Sequence, residues 1–233
     1  NGLADKGGNM HTLFIDIETI PTQRAGALEE FKTTVKAPGN MSKPETIAAW
    51  MRDNAEQAAI DAWRKTALDG SQGEILCIGF AIDGNKPGHV IRRVDQSERD
   101  LLSAFYTQME LLELNNMTQI VGHNVKDFDL RFLYQRSVIH GVRPSFPLRQ
   151  GQRYGGDFVY DTMTEWAGWG NRVSLKNLCR ALGIPVKQGD IDGANLWDAV
   201  LAGRYSEIAD YCMADVEATR AAWAKMTFQG VPL

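Results

Sequence analysis

The stretch Phe14-Ile15-Asp16-Ile17-Glu18-Thr19 decides how the rest of the chain is read. Leu13, Ile15 and Ile17 alternate with Thr12, Phe14, Asp16 and Glu18, which is the period of a buried strand. Side chains two apart on a strand point the same way. Asp16 and Glu18 therefore share a face, with Cα atoms roughly 6–7 Å apart. Two carboxylates on an apolar strand are costly to bury unless a cation meets them. They either stand at a solvent-exposed strand end or hold metal.

The 233 residues suffice for one large domain or two small ones. A hydrophobic share of 44% with 23% charged residues is enough for a sizeable core. No apolar run approaches the ~20 residues of a membrane-spanning helix, and no charged-then-apolar leader opens the chain. The expectation is a cytoplasmic setting without a membrane partner. Residues 1–9 are Gly-rich and polar and read as an expression remnant or loose tail. Residues 10–233 read as a single domain, since no linker divides them. Cys77, Cys179 and Cys212 are widely spaced and odd in number, which excludes a disulfide framework and a cysteine-based zinc site. The net charge of −4 and pI of about 5.6 do not advertise a nucleic-acid binder. For a site built from carboxylates that inference is weak, because two divalent cations would bring the formal charge to zero.

Outward from the opening strand, Pro21 breaks the pattern and residues 22–45 are mixed and polar. Residues 45–67 read as a lid helix packed on the sheet edge. Its Trp50 and Trp63 are core residues first and base-stacking platforms second. Ile75 to Ile82 is a nearly continuous apolar run, as in a strand covered on both faces. His89 to Val94 reads as a third strand, and Ser97-Glu98-Arg99-Asp100 has capping-box spacing at the start of a helix. Ile120-Val121-Gly122 is a short strand leading into another helix. A long loop spans residues 142–156 and carries Arg143, Arg149 and Arg153. Asp157 to Met163 reads as the last strand. Ser174 caps a helix, a short helix starts at Leu196, and the final helix runs from Ser206 to about Met226. The layout is α/β, with one central mixed sheet flanked by helices.

Three places then matter together. Asp16 and Glu18 are the first. Asn124-Val125-Lys126-Asp127-Phe128-Asp129, at a strand-to-helix junction, is the second. Asp129 falls in the first helical turn, where the helix dipole favours an ionised carboxylate; Asp127 competes with it. The third is Tyr211-Cys212-Met213-Ala214-Asp215 in the last helix. Tyr211 and Asp215, four residues apart, share a helix face. Taken singly, each place reads as ordinary surface or capping chemistry.

Asp-x-Glu on a strand, Asn-x-x-x-Phe-Asp at a helix start and Tyr-x-x-x-Asp on a later helix together resemble the three exonuclease motifs of the DEDD superfamily. The tyrosine places the resemblance in the DEDDy subgroup. The histidine subgroup has His five residues before the last Asp, and here that position is Asp210. The wording Asp-Ile-Glu-Thr-Ile-Pro, with Tyr-Cys-x-x-Asp-Val, is most similar to predicted stand-alone exonucleases related to the proofreading domain of B-family DNA polymerases. The resemblance covers residues 11–227.

That resemblance implies a ribonuclease-H-like fold and a metal-dependent 3′→5′ exonuclease. Such an enzyme would release 5′-mononucleotides from single-stranded DNA, in proofreading or repair, with two Mg²⁺ or Mn²⁺ ions. Asp16 would bridge both ions. Glu18 and Asp215 would complete the ion carrying the nucleophilic water. Asp129 would hold the second, and Tyr211 would orient the water. Thr19, Ile20, Asn124 and Phe128 would line the terminal-nucleotide pocket, and Arg143, Arg149, Arg153 and Lys187 would meet phosphates. A polymerase or other replication partner is compatible with this reading. An RNA 3′-end trimmer, a silent single-strand-binding module and a metal-stabilised structural domain are the alternatives. One departure is length: about 55 residues separate Ile20 from Ile75, room for a hairpin or lid. Another is that the chain stops soon after the third motif, as expected of a free-standing nuclease or of a domain cut from a longer protein.

Overall fold

The computed structural model describes residues 11–148, 158–186 and 189–229. In chain order they form β1 (Thr12–Ile20), α1 (Ala27–Thr34), α2 (Pro44–Lys65), a 3₁₀ turn (Thr66–Leu68), β2 (Glu74–Ile82), β3 (Gly88–Ile91) and α3 (Glu98–Leu111). There follow β4 (Gln119–Gly122), α4 (Asp129–His140), β5 (Val159–Asp161), α5 (Thr162–Ala167), α6 (Leu175–Ala181), α7 (Leu196–Leu201) and α8 (Tyr205–Met226). The five strands make one sheet in the order β3-β2-β1-β4-β5. β4 pairs parallel with both β1 and β5, while β3 pairs antiparallel with β2. The sheet is therefore mixed, and β1, β4 and β5 bring their carboxyl ends to one edge. In open α/β sheets that edge is where ligands bind.

Alternation on β1 sorts its side chains onto two faces. Leu13, Ile15 and Ile17 join the main core with Ile78, Phe105, Met109, Phe132 and Leu133 of β2, α3 and α4. Phe14 joins the smaller core of the other face with Ala81, Val121 and Val216, against Trp223 of α8. Asp16 and Glu18 continue the Phe14 side, so they meet α8 rather than the main core. Gly79 on β2 lets α8 approach. A Cβ there would stand 2.8 Å from Cys212 Sγ and 3.2 Å from its carbonyl oxygen.

The structure departs from the expected local elements in three places, the first being the strand expected from His89 to Val94, which is Gly88–Ile91. The polar segment 22–45 contains α1, which starts after Gly26 at a φ of 78°. The last strand is only Val159–Asp161, because the Asp161 carboxylate caps α5 through the Met163 and Thr164 amides. Ser97 caps α3 as expected, accepting from the Asp100 amide at 3.3 Å. Glu98 instead turns inward and pairs with buried Arg136 of α4, with Arg136 Nε 3.0 Å from Oε1. The Ile75 amide donates to the same Oε1 at 2.7 Å. Removing either partner would strand a buried charge, at a cost of about 3–5 kcal/mol.

The chain folds as two compact units, one holding the chain up to Glu18 and from Ile75 onward, the other Thr19–Glu74. The second unit contains α1, α2 and the 3₁₀ turn. Pro44 occupies the first turn of α2, where its missing N–H is harmless. Within this unit Trp63 Nε1 donates to the Thr22 carbonyl at 3.0 Å, and Thr66 Oγ1 accepts from the Thr22 amide at 3.0 Å. Trp63 is thus a packing residue tied by its indole nitrogen. No helix among the described residues is long and apolar enough to cross a membrane.

Candidate active site

β1 supplies Asp16 and Glu18, α4 supplies Asp129 as its first residue, and α8 supplies Tyr211 and Asp215. Their mutual electrostatic influence places them together. Burial, and then the carboxylates of Glu18, Asp129 and Asp215, push Asp16 well above the usual carboxylate range. Burial pushes Glu18 up as well, followed by Asp215, Cys77 and Asp129. Asp215 is pushed up to about 6 by burial, against a hydrogen bond from Tyr211 that holds it down. Among the described residues no lysine or arginine pairs with any of the four carboxylates.

Asp129 departs from its expected behaviour. A helix N-terminus favours an ionised carboxylate, and its Oδ1 does accept the Ile17 amide at 3.0 Å. Burial outweighs this: Asp129 is 3% exposed, and its pKa is pushed up to about 7. The Ile17 amide and the residue's own amide together do not replace the hydration of a buried charge. Asp127 is exposed, so Asp129 is the acid of its motif that enters the cluster.

Burial and the neighbouring acids Asp215, Glu18 and Asp16 push the Tyr211 phenol well up. It therefore stays protonated and acts as a hydrogen-bond donor, with Asp215 as its present acceptor. Cys212 is buried one residue on. Its Sγ lies 3.5 Å from Asp16 Oδ2 and 3.5 Å from the Asp16 carbonyl oxygen. Ligand atoms of Asp16, Glu18 and Cys212 all fall within 4.8 Å of one another. Burial and the adjacent Cys77 raise the Cys212 thiol well above its ordinary value, so it donates to Asp16 as a neutral group. A cluster of oxygen donors without a counter-cation fits a hard divalent ion. Asp16, Glu18, Asp129 and Asp215 are the residues that would hold it.

A residue that the sequence reading passed over organises the second motif. Asp161, 1% exposed at the end of β5, accepts the Asn124 amide at 2.9 Å and the Lys126 amide at 3.1 Å. Its capping bonds to α5 make it a four-amide hub holding the β4–α4 turn in shape. Asn124 sits in that turn at a φ of 64°, a conformation Asn tolerates. Its Oδ1 is buried without a hydrogen-bond partner. The sequence signal was an Asp closing an apolar strand before Thr-Met-Thr, a helix cap preceded by strand residues.

The other expected substrate residues are scattered. The Thr19 hydroxyl donates to the Ala67 carbonyl at 2.6 Å, and the Ile20 side chain is fully buried. Phe128 is half-buried and packs against Phe132 with the rings tilted by 53° and their centroids 5.5 Å apart. Arg143 lines a separate groove of about 470 Å³ with Ser103, Thr107 and Glu110 of α3. Arg149, Arg153 and Lys187 lie outside the described residues.

The chain is similar in structure to a family B DNA polymerase from the hyperthermophilic archaeon Pyrobaculum calidifontis, with a TM-score of 0.57 and 15% identity. The superposition covers 95% of this chain and 25% of the polymerase, so the chain spans about a quarter of that protein's length. At that identity the likeness speaks to the fold, which is ribonuclease-H-like. No curated protein sequence matches. A family described as predicted 3′-5′ exonucleases related to the exonuclease domain of PolB matches residues 75–230. The match includes Asp129, Tyr211 and Asp215, while Asp16 and Glu18 precede it and are joined to them by the sheet. The chain belongs to this family of predicted 3′-5′ exonucleases related to the PolB exonuclease domain.

Proposed function

We propose that this protein removes nucleotides one at a time from the 3′ end of single-stranded DNA, using two divalent cations held by Asp16, Glu18, Asp129 and Asp215. The observation that carries the reading is the convergence of four mutually repelling, largely buried carboxylates with a protonated tyrosine, at the carboxyl edge of the parallel strands. Such an arrangement is unstable without cations and becomes compensated with them. When bound, divalent ions of this kind activate water and stabilise the leaving oxygen of a phosphodiester.

The chain's own groups do the positioning. The attacking water adds to the terminal phosphorus and gives up a proton to solvent, the bond to the penultimate 3′ oxygen breaks with that oxygen taking a proton from solvent, and the last nucleotide leaves as its 5′-monophosphate. Tyr211, held protonated, would turn its single O–H from Asp215 to the water once Asp215 is engaged by a cation, and so orients the water without removing its proton. The Ile17 amide and the strand spacing of Asp16 and Glu18 fix the carboxylates on a rigid base. Cation binding must displace protons from carboxylates raised to about 6 and about 7, so metal affinity rises with pH through that range.

The test uses 5′-labelled and 3′-labelled single strands of DNA and RNA, with Mg²⁺, with Mn²⁺ and in EDTA. The expected result is a ladder that shortens from the 3′ end of DNA, is lost in chelator and is restored by either metal. Full activity in chelator, or wild-type turnover by Asp16→Ala, overturns the proposal. A ladder on RNA alone reassigns the enzyme to RNA end trimming, since the two sugars differ at the 2′ hydroxyl.

A further inference from the structure

The sequence offered Trp50 and Trp63 as stacking candidates, yet in the structure they are half-buried, as are Trp197 and Trp223. The exposed pair is Trp166 at 47% and Trp169 at 65%. Indole is a large apolar surface that proteins normally bury. Two exposed copies three residues apart mark a surface with something to meet.

Their position is informative. Trp166 is the penultimate residue of α5 and Trp169 lies two residues beyond its end, after the carboxyl end of β5. The segment is fastened to the turn that carries Asn124 and leads to Asp129. His123 Nε2 donates to the Val173 carbonyl at 2.8 Å, and Nδ1 is 2.9 Å from Thr162 Oγ1. Burial holds the His123 pKa down, so the ring stays neutral and the bonds persist at neutral pH. Lys126 stands 4.0 Å from Glu165 at the head of the segment.

The charge is also selective. In a chain of net charge −4, residues 166–186 contain Arg172, Lys176 and Arg180 and no aspartate or glutamate. Ser174 and Lys176 line a cavity of about 1110 Å³ that also holds Tyr211 and Asp215. The same cavity is lined by Asp190, Asp192, Glu207, Asp210 and Glu217, of which Asp190 and Glu207 are paired with Arg204 and Glu217 with Arg220. A phosphate chain passing this cavity is repelled by its acids and drawn toward Lys176, with Arg172 four residues before it in the same segment.

We infer that Trp166 and Trp169, with Arg172 and Lys176, form a track for the single strand behind the terminal nucleotide. Bases stack on the indoles and phosphates meet the two cations. Recognition of this kind tolerates any sequence, because every base has a π-face. The inference rests on the nuclease reading of the adjacent site and adds to it the path of the strand.

The test pairs a long oligothymidylate with thymidine 5′-monophosphate p-nitrophenyl ester, a substrate that reaches only the terminal position. Both tryptophans are exposed, so Trp166→Ala with Trp169→Ala leaves the fold intact, which circular dichroism checks. Affinity for the oligomer, read by fluorescence anisotropy in EDTA, should fall about 10–100-fold. Its kcat/KM should fall in proportion, while turnover of the ester is unchanged. Unchanged oligomer affinity with intact ester turnover overturns the track and spares the nuclease. An equal loss on both substrates places the effect at the catalytic carboxylates and also overturns the track. Failure of the unaltered protein to hydrolyse either substrate overturns the nuclease reading, and the track with it.

Discussion

Replacing Asp129 by asparagine should make the metal-free protein more stable while destroying its activity. Asp129 is 3% exposed and its pKa is raised to about 7 from 3.8. At roughly 1.4 kcal/mol per pKa unit, holding it ionised corresponds to about 4 kcal/mol of destabilisation. Ionisation shared among four carboxylates and local relaxation reduce this to about 2 kcal/mol. The amide oxygen of asparagine still accepts the Ile17 amide, so that bond survives the loss of the charge. For a chain of this size about 2 kcal/mol is a rise in Tm of about 4–8 °C.

The sign with pH follows from linkage. The native carboxyl binds its proton more tightly than the unfolded one, so wild-type stability declines as pH rises from 3.8 through about 7. The advantage of Asp129→Asn is therefore full at about pH 8 and less than half at about pH 5. Thermal denaturation in EDTA at the two pH values, repeated with Mg²⁺, measures it. Wild type should gain Tm with Mg²⁺ and the variant little. A variant that melts at or below wild type in EDTA at the higher pH refutes the reasoning, since the buried charge would then already be compensated.

Other expectations concern the groups around the carboxylates. Tyr211→Phe should lower kcat about 10²-fold with KM nearly unchanged, as for loss of one preorganised donor; an unchanged kcat would make the hydroxyl idle. Asp161→Ala strands four backbone amides, two of them in the Asn124–Lys126 turn. Urea denaturation should show a loss of about 2–4 kcal/mol, with Asp161→Asn losing less. Gly79→Ala puts a Cβ 2.8 Å from Cys212 Sγ and should cost about 1–3 kcal/mol while weakening Mg²⁺ binding, read by calorimetry. Unaltered metal affinity in a folded Gly79→Ala protein would show that α8 can move away without disturbing Asp215.

The alternation in Leu13–Glu18 determined that Asp16 and Glu18 share a face, because strand geometry has a period of two and no partner is needed to read it. The same holds for Tyr211 and Asp215 on one helix face, and for the caps at Ser97 and Ser174. Local geometry is written in local sequence. Tertiary structure decided which of these groups meet. Residue 16 reaches residue 215 only because β1 lies beside β2, and Gly79 lets α8 settle against that strand. Burial also overrode local logic at Asp129, where desolvation outweighed the helix terminus. The same holds for the aromatic residues. Periodicity cannot say which tryptophan is covered, so Trp63 proved to be packed and Trp166 and Trp169 exposed. Asp161 was invisible for the same reason, since its four partners come from two segments that only the fold of the sheet brings side by side.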